Sequence, residues 1–210
     1  MNELGTLFVS AFVTLFVIID PPGCAPIFAS LTRQCTPPQR RSMALRSVLI
    51  AAGILVFFGL LGEELLEVLG IGLPAFRIAG GIMLFMIALD MVFERRTARR
   101  ENRAREVDAT PEIEDVAVFP MGIPMIAGPG TIASVMLLTA RSSGWAETAA
   151  VLGALGLVLL LTLGALLAAG PIMKKLGRNL EAMITRLLGV ILAALAAQFV
   201  LDGIRRSFGL

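Results

Sequence analysis

The sequence predicts an all-α, polytopic membrane protein of six transmembrane helices, arranged as two inverted three-helix repeats with helices one and four broken at mid-membrane. Three observations carry that prediction. The 210-residue chain is 57% hydrophobic and 16% charged, too poor in polar residues to clothe a soluble globule. Six apolar runs, near 4–31, 43–66, 73–93, 116–140, 146–169 and 183–203, each reach the roughly 20 residues a helix needs to cross a hydrocarbon core of about 30 Å. The two halves of the chain also align on each other at their least ordinary residues. Strand-like alternation is absent, so helices rather than a barrel must satisfy the backbone.

Run one has no Lys or Arg before Arg33 and no small-residue cleavage pattern, so it is expected to stay in the mature protein as helix one. Its centre reads VIIDPPGCAPIFASLT over 17–32. Proline lacks an amide donor and clashes with the preceding turn, and glycine adds freedom, so Pro21, Pro22 and Gly23 should interrupt the helix. Asp20 is the one acidic residue near the middle of any run; Glu63, Glu64, Glu67, Asp90 and Asp202 lie toward run ends. A central aspartate costs about +2.5 to +3.5 kcal/mol on insertion scales, so something must compensate. Two compatible readings are open: Asp20 caps the second half-helix, as Asp before Pro commonly does, or it binds a proton, cation or ammonium group.

Run three carries Arg77 in its first turns and Gly80-Gly81 beyond; run six carries Arg186 and Gly189 in the same places. Snorkelling is the default reading for both arginines. A second is that they are gate elements pairing alternately with acids such as Glu67 or Glu181. The glycines are read as close-packing positions. Run four contains PMGIPMIAGPGTIAS over 120–134, where Pro120, Pro124, Gly128, Pro129 and Gly130 should break the helix. Ser134 is expected to bond its own backbone, while Thr131 stays open as a ligand donor. Trp145, the sole tryptophan, is read as an interfacial anchor.

Lys and Arg assign the topology. The first, third and fifth connections carry 13 of them and the other side 3, so both termini are expected outside the cytoplasm. Sliding the chain by 107 residues lays Pro22-Gly23 on Pro129-Gly130, Leu31-Thr32 on Leu138-Thr139 and Leu69-Gly70 on Leu176-Gly177. Two inserted residues then bring Arg77 onto Arg186 and Gly80 onto Gly189. The chain therefore reads as a single transmembrane domain: repeat one over about 1–94, a charged cytoplasmic linker over about 95–115 and repeat two over about 116–210. Because three helices is an odd number, the halves are inverted, a transporter hallmark.

Each break starts a half-helix, near Pro21 and near Pro129, with free amides and a positive dipole end. Inversion points those ends at each other, which suits an anionic group such as a carboxylate. The candidate substrate site is Asp20, Pro22, Gly23, Cys24, Gly128, Gly130 and Thr131. No histidine or tyrosine occurs, and no nucleophile arrangement is recognisable, so an enzyme is not expected. Neither a metal nor a cofactor is expected, nor nucleic acid as a partner. Cys24 and Cys35 are read as free thiols.

The motifs IDPPGCAPIF (19–28) and IPMIAGPGTI (123–132) resemble the paired signatures of the MarC family of bacterial inner-membrane proteins, also described as the small neutral amino acid transporter family. The resemblance covers essentially the whole chain. It implies transport of amino acids such as glycine and alanine, with helices one and four discontinuous around the site. One departure bears on selectivity: where the family usually has Asn after Asp-Pro-X-Gly, this chain has Cys24. The resulting expectation is a secondary transporter using a small neutral amino acid and a coupling ion, proton or sodium, of unassigned oligomeric state. A passive channel and a membrane module assisting a partner are the alternatives.

Overall fold

The computed structural model describes residues 3–33, 35–93 and 117–209, the side chains of 170–182 apart. The linker expected over 95–115 lies outside the described residues. Helices α1 (Glu3–Ile19) and α2 (Pro21–Leu31) make one apolar stretch of 29 residues. The chain leaves right-handed helix between them at Asp20, which has φ 58° and ψ 66°. The cause is local: Pro21 and Pro22 have no amide to offer the carbonyls of Val17 and Ile18, and a residue before proline is disfavoured in helical conformation. The ladder resumes at once, since the Cys24 amide donates to the Asp20 carbonyl at 3.0 Å.

Helix α3 (Pro37–Val68) begins on a proline, and the Gln39 side chain accepts from the Thr36 amide at 2.9 Å. Helix α4 (Leu73–Val92) follows. Segment α5 (Ala117–Ile126) is kinked, with extended backbone at Phe119 and Ile123. It leads into α6 (Pro129–Thr139) through a bend of 53°. Helices α7 (Trp145–Leu167) and α8 (Ala169–Phe208) complete the chain. The connection expected between runs five and six over 170–182 is instead helical, so α8 runs 40 residues. By length and composition five described spans can cross a membrane, or six if α5 and α6 count as one bent span.

Lipid is as apolar as leucine, so helices in a membrane associate by close packing rather than by escape from solvent. The most extensive helix pair among the described residues, α4 with α8, does so through glycines. A Cβ on Gly81 would stand 2.9 Å from the Ala196 carbonyl oxygen, and one on Gly189 would stand 2.9 Å from the Met91 Cβ. This seam continues into a buried cluster of Val17, Ile18, Leu84, Leu137, Leu192 and Phe199. A larger cluster joins α1, α2, α3, α5, α6 and α7 through residues such as Leu15, Phe28, Leu55, Met121, Val135 and Leu155. The outer faces stay apolar, with Leu160 65% and Val190 59% exposed, as lipid-facing surface requires.

Candidate functional site

Asp20 is 1% exposed. Its Oδ1 accepts the Gly23 amide at 3.1 Å, capping α2 and satisfying one of the donors a helix start leaves open. Gly23 is required there, because a Cβ would fall on the Asp20 carboxylate. The fully buried Cys24 donates its thiol to the Ile19 carbonyl at 3.4 Å, the group whose helical donor, Gly23 N–H, has been taken by Asp20. Pro22 is half-buried. Residues 20–24 thus form one unit in which the Gly23 amide and the Ile19 carbonyl are both met by side chains. Cys24 and Cys35 are both free thiols.

Gly128, Gly130 and Thr131 are buried at the start of α6. A Cβ on Gly130 would meet Ile87 and Leu84 of α4, so this turn is pressed against that helix. Ser134 donates to the Gly130 carbonyl at 2.8 Å, as a membrane-helix serine is expected to. Helix α2 packs chiefly on α7 and α8, whereas α6 packs chiefly on α3. The two N-terminal turns therefore belong to different helix pairs. The end of α1 links their surroundings, since Val17 and Ile18 share a cluster with Leu137 of α6.

Arg77 departs most from the expectation that it snorkels. It is 1% exposed, and its Nε, Nη1 and Nη2 find no hydrogen-bond partner among the described residues. Gly80, Leu84 and Ala88, which follow it along one face of α4, are buried too, with Leu137 of α6 over Gly80. Glu67, the acid proposed to pair with it, is exposed. Arg186, its equivalent in the alignment, is exposed too, and the Glu181 side chain lies outside the described residues. The charges acting on Arg77 are Arg141, Arg206 and Asp202.

Beside it is a network that sequence reasoning missed. Arg141 Nη2 pairs with Asp202 Oδ2 at 2.8 Å, Gln198 donates to Asp202 Oδ1 at 2.7 Å, and the Arg141 guanidinium lies 5.1 Å from the centre of the Phe199 ring. The usable signal was the spacing of Gln198, Phe199 and Asp202 within about one turn, on the side already assigned to Arg141. No group of three or more His, Cys, Asp or Glu that could hold a metal ion occurs among the described residues.

Apolar spans with lipid-like outer faces and a charge at a helix interruption define a polytopic integral membrane protein. The family model described as MarC family integral membrane protein matches residues 5–208, and the chain belongs to that family. It is 38% identical over 198 residues to a UPF0056 membrane protein of Methanocaldococcus jannaschii, covering 94% of this chain and 96% of the relative. It is 34% identical over 203 residues to the UPF0056 membrane protein YvbG of Bacillus subtilis, covering 97% and 96%. The UPF0056 inner membrane protein YhgN of Escherichia coli is 34% identical over 209 residues, covering 98% of each. No solved structure matches the chain.

Proposed function

We infer that the protein is a secondary transporter of small neutral amino acids, glycine- or alanine-like, in the inner membrane, with no enzymatic role, metal or cofactor. The observation that carries this reading is Asp20: a buried carboxylate at the interruption of an apolar span, capping the half-helix that follows. Irregular backbone inside lipid is tolerable only where protein or a cavity surrounds it, and transporters use such places for solutes. In this reading the solute's carboxylate meets amides around Gly130 and Thr131, and those of Gly23 and Cys24 once they are released from their bonds to Asp20. Its ammonium meets Asp20 or nearby backbone carbonyls at the break.

Alternating access comes from rocking two inverted three-helix halves, with both termini outside the cytoplasm. Near-reciprocal packing supports the inversion: Gly81 lies on Val200 and Gly189 on Met91, and Met91 and Val200 are equivalent in the internal alignment, with the glycines one position out of register. The name of the Escherichia coli relative supports the membrane assigned.

Uptake of labelled glycine and alanine into proteoliposomes, with imposed proton or sodium gradients, tests the reading. Saturable accumulation above equilibrium under one gradient is expected. Equilibration without accumulation is the result a passive channel gives. No uptake by folded protein turns the assignment toward a partner-assisting module.

A further inference from the structure

We propose that Arg77 is the receptor for a carboxylate anion, a binding position separate from the Asp20 unit and closed off in this conformation. A buried guanidinium with three unsatisfied nitrogens leaves a charge and its donors unmet, and native interiors keep such groups only where something meets them. Arg77 is in that state among the described residues. The neighbouring charges do not remedy it. Arg141 is already paired with Asp202 at 2.8 Å, and Arg206 is exposed and therefore screened. Among the described residues the balance is one uncompensated buried positive charge, which a monoanion neutralises.

A planar fork of donors matches a carboxylate in two parallel hydrogen bonds. Ser142, next in sequence to Arg141, has a buried hydroxyl that also lacks a partner among the described residues. The carboxylate's role in translocation rests on the transport reading above; its binding does not.

The test is the thermal unfolding midpoint of the purified full-length chain in detergent, in low-salt buffer free of carboxylates. Sodium acetate and glycine should each raise the midpoint by several degrees beyond the effect of equal sodium chloride, and methylammonium chloride should not. R77M should abolish the response while unfolding no earlier than wild type in the anion-free buffer, because it removes a buried unpaired charge. R77K, which keeps the charge but not the fork, should need about tenfold more acetate.

No rise in the wild type, an undiminished rise in R77M, an unchanged acetate dependence in R77K, or a rise with phosphate but not acetate would each overturn the proposal. Midpoint shifts through Arg77 without gradient-driven uptake sink the transport reading alone; uptake without those shifts sinks this one alone.

Discussion

Asp20 and Gly23 work as a pair, and each can be tested against the other. The carboxylate sits where a Cβ on residue 23 would stand, so Gly23→Ala must displace it and loosen the cap. A loss of about 1–3 kcal/mol is expected, of the size overpacking usually costs, read as a lower thermal midpoint in detergent. Asp20→Asn separates structure from chemistry, because an amide oxygen still accepts from the Gly23 N–H while the ionisable group is gone. The expected outcome is a folded protein with near-wild-type midpoint and uptake reduced at least about tenfold. Unchanged uptake across pH 5 to 8 would remove Asp20 from both ligand binding and coupling. For Cys24, Ser retains a donor for the Ile19 carbonyl, whereas Val leaves that carbonyl unmet; the Val variant should be the less stable by about 1 kcal/mol.

At the scale of elements, the helix starts were the most legible feature. Pro21 and Pro129 each open a helix as expected, because proline's fixed φ suits the first turn and its missing amide costs nothing there; α3 starts at Pro37, ahead of the run expected near 43. Helix length was less legible. Lys174, Lys175 and Arg178 suggested a connection, yet a helix does not have to end where the hydrocarbon does, and α8 extends to Ala169. The different fates of Arg77 and Arg186 were not legible, because the internal alignment makes them equivalent. Burial depends on which neighbours cover each face, and for α4 those are α8 and, over Gly80, Leu137 of α6, both far away in sequence. The glycines of α4 and α8 were legible as packing positions, and their tolerance is measurable. Gly81→Val should destabilise the protein by about 1–3 kcal/mol, since a Cβ there stands 2.9 Å from backbone oxygen; an exposed control such as Ile82→Val should leave the unfolding midpoint unchanged.

For the whole molecule, composition was enough to identify the solvent and to set five or six spans, and charge bias assigned an orientation that labelling can check. In a background without Cys24 and Cys35, Ser207→Cys should react with a membrane-impermeant maleimide from outside intact cells. Reaction only after permeabilisation would invert the assigned topology. The glycine seam of α4 and α8 then has a mechanical consequence. Two helices in near backbone contact have few side chains that can slide or repack between them, so the seam resists shear yet permits a small change of crossing angle. If the halves rock, their axis lies along this line, and displacement grows with distance from it. Spin labels paired across the seam would hold their separation through a transport cycle, while those carried on the flanks farthest from it would record the full swing of the lever.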